Sequence, residues 1–270
     1  MMSNIKIGIA ISVYNKFDFV ATNINIMRKH WSSVEPYISV CCNDPETYKK
    51  LKPLVNGNLG INKLTLGEDY KINSKQDLRL RQHDCIRKSI SGALENSDYV
   101  MHWHADAFAL DENSIIDLAS SMKNKDQLFC GRGLWLSYPC SKTRYGDIDD
   151  HFFMVNSKHA LETKMFDMSN NELVRDNFLK NGLSSEGVIA ALARKFCTDE
   201  KIFVYSDMSE CEIKDNITDT DPRYKDGIPH RRLPPVNLDP IRKFLHCDQV
   251  PDLHDMFLRH GINTNLIVES

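Results

Sequence analysis

Three short runs constrain this chain most: Ile5 to Ser12 (IKIGIAIS), Tyr37 to Cys42 (YISVCC) and Asp98 to Trp103 (DYVMHW). Each is largely apolar, rich in residues that suit a pleated backbone, and bounded by polar or turn-forming residues. A strand with one wet face alternates apolar and polar side chains. Near-continuous apolar runs instead belong to strands covered on both faces, as in a parallel sheet flanked by helices. Helix-like segments stand between the runs. Phe17 to Trp31 carries Phe17, Val20, Ile24 and Met27 near helical spacing. Asn43-Asp44-Pro45 follows the second run, with Asp44 suited to a helix N-cap and Pro45 to the first helical position, so Glu46 to Val55 is expected to be a helix. Asn62 to Leu66 reads as a third strand and Gln76 to Glu95 as a long helix. Glu112 to Lys123, after an Asp111 cap, reads as another helix, and Gln127 to Leu136 as a further strand. The alternation predicts an α/β fold with a mostly parallel central sheet. In such sheets ligands bind beyond the carboxyl ends of the strands. That rule gathers Ser12 to Asn15, Asn43 with Asp44, and His104 to Asp106 on one edge. After about residue 140 the pattern becomes mixed: a strand at 151–155, a helix from Ser185 to Lys195, a strand from Lys201 to Tyr205, then polar, proline-bearing coil from Asp219 to Asp239.

Composition excludes more than it selects. The chain has 270 residues with 41% hydrophobic content, enough for a substantial core. Lys plus Arg at 34 against Asp plus Glu at 37 gives a net charge of -3, with no general attraction to nucleic acid. The amino-terminal apolar stretch is short and lacks a small-residue cleavage site, so it is not read as a signal peptide. No apolar run approaches the length of a membrane-spanning helix. The eight cysteines include no C-x-x-C pair, so neither a disulfide framework nor a zinc knuckle is encoded. Reduced thiols and a cytoplasmic location are the expectation.

The most unusual chemistry lies in SDYVMHWHADAFAL, Ser97 to Leu110, where a buried strand runs into His104, Ala105 and Asp106. Residues two apart on an extended segment point to the same side, so His104 and Asp106 can converge on one divalent cation. The residues alone leave a second reading open, in which Asp106 caps a turn and His104 is a satisfied polar residue at a strand end.

A strand leading into Ser-Val-Tyr-Asn, a second strand ending in a carboxylate, and an Arg-bearing helix leading into a D-Y-V strand with an acidic triplet together resemble a nucleotide-sugar-dependent glycosyltransferase of the GT-A fold, family 2 type. The resemblance covers residues 5 to about 200. His104-Ala105-Asp106 stands where the family has Asp-x-Asp, so the first position departs from the pattern. The resemblance implies a Mn²⁺ or Mg²⁺ ion bridging the donor pyrophosphate, with Asp106 as ligand and His104 either a ligand, which would favour manganese, or a partner of ribose or coordinated water. It implies Ser12, Tyr14 and Asn15 around the nucleoside, Asp44 near base or ribose, and Arg81 toward the donor. Asp44 read bottom-up is the N-cap, and Arg81 belongs equally to a solvated basic stripe with Arg79, Arg87 and Lys88.

On the acceptor side the resemblance implies Glu186, at the start of SSEGVIAALARKF, as the general base of an inverting reaction. Asp149 and Asp150, ahead of HFFMVNSKHAL, compete for that role. The family's acidic pair is reduced here to one, because Gly187 follows Glu186. His230 with Arg231 and Arg232 is either a lid over the pyrophosphate, with His230 a further metal candidate, or an ordinary surface loop. His246, His254 and His260 read as structural or surface residues. The implied organisation is a donor-binding half at 1–136, an acceptor-binding half of the same domain at 137–218, and a loop and helical tail at 219–270. The implied partners are a nucleotide-sugar donor and a glycan or glycolipid acceptor, no nucleic acid, and with a glycolipid a peripheral association with membranes. Two rivals remain. One is a sugar-phosphate nucleotidyltransferase, whose glycine-rich phosphate loop is absent from SVYNKFDF. The other is a catalytically silent carbohydrate-binding protein of the same fold.

Overall fold

Every residue of the first strand, β1 (Ile7–Val13), is buried, so it has no wet face. The computed structural model describes residues 5–55, 60–68, 75–105, 107–109, 112–133, 148–175, 185–205, 228–230, 233–236 and 244–246. After β1 come α1 (Phe17–His30), β2 (Tyr37–Cys42), α2 (Pro45–Leu51), β3 (Lys63–Leu66), α3 (Lys75–Ser91) and β4 (Tyr99–His104). Then follow β5 (Ala107–Ala109), α4 (Glu112–Asn124), β6 (Phe129–Gly133), β7 (Ile148–Asn156), α5 (Ser157–Thr163), α6 (Asn170–Arg175), α7 (Ser185–Phe196) and β8 (Ile202–Tyr205). Three short strands complete the described chain: β9 (Ile228–His230), β10 (Leu233–Val236) and β11 (Phe244–His246).

Helix boundaries follow local chemistry. Asp44 caps α2, its carboxylate accepting from the Thr47 N–H at 2.8 Å, with Pro45 in the first turn. The α-helix stops at Leu51 rather than continuing to Val55. Pro53 has no N–H for an α-helical bond, and Lys52–Leu54 tightens into a 3-10 turn. α3 likewise ends at Ser91, short of Glu95. A Cβ on Gly92 would stand 2.3 Å from Ser39 Oγ of β2, so glycine lets the end of the helix lie close against the sheet.

Seven strands form the central sheet in the order β3-β2-β1-β4-β7-β6-β8. The pairings β3-β2, β2-β1, β1-β4 and β6-β8 are parallel, whereas β7 is antiparallel to both of its neighbours. The mostly parallel α/β sheet is thus present, with one reversed strand. On one face, Ile9, Ile11, Met101 and Trp103 pack with Val20 and Ile24 of α1 and Leu118 of α4. On the other, Ala10, Val100, Phe129 and Phe153 pack with Ile86 and Ile90 of α3 and Val188 and Leu192 of α7. Full burial of such a side chain contributes about 1.5–3 kcal/mol, which is why both faces must be covered.

The expected coil from Asp219 to Asp239 contains two strands. β9 and β10 pair antiparallel, with Leu233 across from His230. A two-stranded ladder tolerates Pro229, Pro234 and Pro235 because half of its backbone groups need no partner within it. The tail read as loop and helix likewise contributes β11, which pairs antiparallel with β5. Asp111, the expected α4 cap, lies outside the described residues. Glu112 beside it accepts from the N–H groups of Ser32, Ser33 and Val34 at 2.8–3.2 Å, pinning the turn between α1 and β2. Burial opposes its charge, but the three N–H groups prevail and hold the carboxyl below its usual range.

One buried group makes stability depend on pH. Burial of His83 on α3, reinforced by the Arg87 guanidinium and opposed by Asp84, pulls its pKa from 6.5 down to about 3. The unfolded chain takes up a proton near pH 6.5, and the folded chain only near 3. His83 therefore contributes its full stability above pH 6.5 and loses it as pH falls toward 3, at about 1.4 kcal/mol per unit. Between pH 7 and 5 the His83→Leu variant is expected to lose about 2 kcal/mol less than wild type in urea unfolding. Equal losses would place the protonated imidazole in the fold.

Candidate functional site

The order β2-β1-β4 makes the carboxyl ends of β1 and β4 the point where the chain's direction of travel across the sheet reverses. Neighbouring loops diverge there and leave a crevice. A cavity of about 180 Å³ occupies it, lined by Ser12 to Lys16 after β1, Asn43 after β2, Leu78, Arg81, Gln82 and Cys85 of α3, and His104 and Ala105 after β4.

The backbone around this cavity is tightly braced. Ser12 pairs with Cys41 on one side and His104 on the other. The Ala105 N–H donates to Ser12 O at 3.0 Å, and its carbonyl accepts from buried Asn23 Nδ2 of α1 at 2.8 Å. Both polar groups of Ala105 are thereby held, which fixes the path of the chain directly after His104. Cys85 Sγ donates to Cys41 O at 2.8 Å, and Cys42 Sγ donates to Tyr14 O at 3.3 Å. Burial pushes the Cys85 thiol well above its usual range, with neighbouring Cys41 adding to the effect, and pushes Cys42 up to about 12. Both stay protonated at neutral pH, so they are packing groups rather than nucleophiles.

Arg81 and Tyr14, separated by more than sixty residues, meet in the cavity wall. The guanidinium carbon lies 3.8 Å from the Tyr14 ring centroid, a stacked cation–π contact. This orients a permanent cation over a half-exposed ring instead of leaving it in a solvated stripe. Arg87 and Lys88 have a different fate. They pair at 2.7 and 2.9 Å with Asp84, whose side chain is fully buried. His104 is half-buried and meets His102 edge-on, with ring centroids 5.6 Å apart.

The structure places the remaining candidates by their backbones. Asp149 and Asp150 open β7. Phe152 of that strand pairs with Trp103, so the antiparallel direction brings the two acids to the edge where β4 ends. α7 precedes β8, which runs parallel to β6, so the start of the helix lies at that same edge; Glu186 is its second residue. The far end of α7 is tied down at the opposite edge, where Phe196 O contacts His159 Nε2 at 2.8 Å. His230 ends β9. His246, read from sequence as structural or surface, stands across from Ala107, the residue after Asp106. Asp106, Arg231, Arg232, His254 and His260 lie outside the described residues.

Asp44 spends one carboxylate oxygen on the α2 cap, and it is Asn43 that lines the cavity. The sequence reading placed Asn43 with Asp44 on this edge but gave a ligand role to the carboxylate alone. Leu78 was missed, although it stands three residues before Arg81, on the same helix face; Gln82, next to Arg81, also lines the cavity and was given no role. Among the described residues no group of three His, Cys, Asp or Glu could hold a metal ion. An imidazole from His104 and a carboxylate from Asp106 would suit Mn²⁺ as donor types. Also among the described residues, no helix is long and apolar enough to cross a membrane.

No protein-family model matches the chain, and no curated protein matches it in sequence. Glycosyltransferases are among the solved structures to which it is similar. The glycosyltransferase GlyE of Streptococcus pneumoniae TIGR4 is 12% identical with a TM-score of 0.48, over 96% of this chain and 62% of that one. The chain thus spans less than two thirds of GlyE. The galactosyltransferase LgtC, solved with donor and acceptor sugar analogues, is 11% identical with a TM-score of 0.47, over 94% of this chain and 96% of that one. The bifunctional glycosyltransferase WbbM is 10% identical with a TM-score of 0.41, over 76% and 39%.

Proposed function

We propose that this protein is a nucleotide-sugar-dependent glycosyltransferase of the GT-A type, moving a sugar with inversion from its donor to a glycan or glycolipid acceptor. The observation that carries this reading is convergence. The Tyr14–Arg81 stack, Asn43 and His104 line one crevice at the sheet's reversal point, and the backbones of Asp149, Asp150 and Glu186 reach the same edge. A donor needs a nucleoside pocket, charge to meet the pyrophosphate, and a base on the far side of the sugar.

In this reading the nucleoside lies against Ser12, Tyr14 and Asn15, and Arg81 presents its oriented guanidinium to the diphosphate. A divalent cation, manganese or magnesium, would supply further compensation for the leaving group's charge when bound. His104 and Asp106 would hold it, with His230 a further candidate donor. Glu186 accepts the proton of the acceptor hydroxyl while that oxygen bonds to the anomeric carbon. The bond from carbon to the diphosphate oxygen breaks, and the nucleoside diphosphate leaves with the electron pair. Ala105, clamped between Ser12 and Asn23, keeps His104 in position through the turnover. The described cysteines are free thiols and buried.

The test is donor hydrolysis without acceptor. With Mn²⁺ present, slow release of nucleoside diphosphate from one nucleotide sugar in a panel is expected, and chelation should stop it. Pyrophosphate release from a sugar phosphate and a nucleoside triphosphate would instead identify a nucleotidyltransferase. Glycan binding with no turnover of any donor would identify a silent binding protein.

A further inference from the structure

Asn23 is a polar residue in an apolar stretch. On α1 it stands among Val20, Ala21, Ile24, Ile26 and Met27, all buried, and is itself 1% exposed. A buried carboxamide in such company costs stability unless its hydrogen bonds are made, so its partners say what it is for. Its Nδ2 donates to Phe19 O at 3.1 Å within its own helix, and to Ala105 O at 2.8 Å in the segment that leaves β4. Both partners are carbonyls, which only accept, so the amide nitrogen serves both and its two protons are used.

This bond lies where the central sheet stops supporting the chain. The β4–β7 ladder ends at Trp103 with Phe152, and the β4–β1 ladder ends at His104 with Ser12. One further bond reaches back to β1, from the Ala105 N–H to Ser12 O at 3.0 Å. That N–H belongs to the peptide joining His104 to Ala105, whereas the Ala105 carbonyl belongs to the next peptide. Peptide units are planar, so each of these bonds restrains a whole unit rather than one atom. Asn23 thus stands in for a strand partner one residue beyond the end of the ladder. Its helix begins at Phe17, directly after the cavity-lining residues Ser12 to Lys16. One helix therefore braces both sides of the crevice.

We infer that Asn23 is a positioning residue for the divalent ion, acting through the Ala105 backbone. The inference rests on the donor-site reading above, in which His104 faces that ion. Coordination tolerates only small departures in distance, so a segment free to swing presents its donors poorly and loses more freedom when the ion binds. The nucleoside side of the crevice, with its Tyr14–Arg81 stack, does not depend on the bond from Asn23 to Ala105. Loss of that bond therefore falls on the ion-dependent part of donor binding. An asparagine that only filled the core would affect binding with and without the ion alike.

Calorimetric titration of the full chain with UDP, dTDP, GDP, CDP or ADP, in Mn²⁺ and again in chelator, tests this. Wild type is expected to bind at least one nucleotide more tightly with Mn²⁺, and that nucleotide is used for the variants. In Asn23→Ser the hydroxyl has one proton and bonds readily to the carbonyl four residues back in its own helix, so Ala105 O loses its donor. The gain in affinity from Mn²⁺ should then shrink by about tenfold to hundredfold, the usual effect of removing a group that orients metal ligands, while affinity in chelator stays at the wild-type value. Asn23→Ala should show the same split with a larger drop in melting temperature. Ile24→Val, which trims a neighbouring core residue without touching Ala105, should keep the full gain. Equal losses with and without Mn²⁺, an undiminished gain in both Asn23 variants, or the same split in Ile24→Val overturns the role of Asn23 and leaves the donor site standing. If wild type binds no nucleotide, or binds it equally with and without Mn²⁺, the metal-site reading falls and this role with it.

Discussion

Sugar transfer by the Glu186→Gln variant is expected to fall by about 10² to 10⁴ fold, the range for loss of a general base, with melting and donor binding nearly unchanged. The substitution keeps the size of the side chain and removes its charge. Glu186 is the second residue of α7, a position where a negative charge favours the helix dipole. Loss of that interaction alone costs about 0.3–1 kcal/mol of stability and has no reason to affect turnover. The two roles therefore separate by observable as well as by size. Transfer within a few fold of wild type would make Glu186 structural and move the test to Asp149 and Asp150, which open β7 at the same edge. If all three variants remain active, the single-displacement, inverting scheme is wrong.

The second large effect is expected at Asp106. Asp106→Ala should abolish Mn²⁺-dependent donor binding while the protein stays folded, because a capping side chain is worth only about 0.5–2 kcal/mol. Calorimetry with the nucleoside diphosphate, with and without Mn²⁺, measures this directly. Donor affinity equal to wild type would return Asp106 to the role of a turn cap. His104→Asp is the complementary experiment. An imidazole bound directly to the ion favours manganese over magnesium, so its exchange for a carboxylate should shift preference toward Mg²⁺. An unchanged preference would put His104 outside the ion's immediate ligands. In that case its half-buried position at the end of β4 serves the ribose or a coordinated water.

How far these residues could be read in advance depended on the range of the interactions that place them. Asp44 and Pro45 start α2 through contacts within three residues, and the structure keeps that start where the sequence put it. The strands that were read from apolar runs are also present, because a run that must be dry on both faces has few alternatives in a chain of this length. Where the expectation ran long, at Pro53 and Gly92, the stop signals were themselves in the sequence. They were outweighed by continuing apolar spacing.

Pairing between distant segments was a different matter. Nothing in HFFMV states that β7 enters the sheet reversed between β4 and β6, since either direction buries the same side chains. The short strands of the carboxyl-terminal segment were hidden for a related reason: their ladders form with distant or proline-bearing partners that local propensity penalises. His246 thus passed for a surface residue although its backbone stands across from Ala107.

The sequence by itself determined the alternation of strands and helices, the edge of the sheet at which a ligand would bind, and the types of donor atom brought there. Those follow from periodicity and capping, which act over one or two turns of chain. Only the tertiary structure decided which side chains face the crevice. It stacked Arg81 on Tyr14, buried Asp84 between two cations, and through Glu68 fixed the Asn43 amide beside an Asp44 already committed to its helix. The two cations beside Asp84 come from its own helix, three and four residues on, but the stack joins residues 67 apart and the Asn43 amide is held by Glu68, 25 residues away. Spacing along the chain carries no record of such a partner until the sheet has brought the two together.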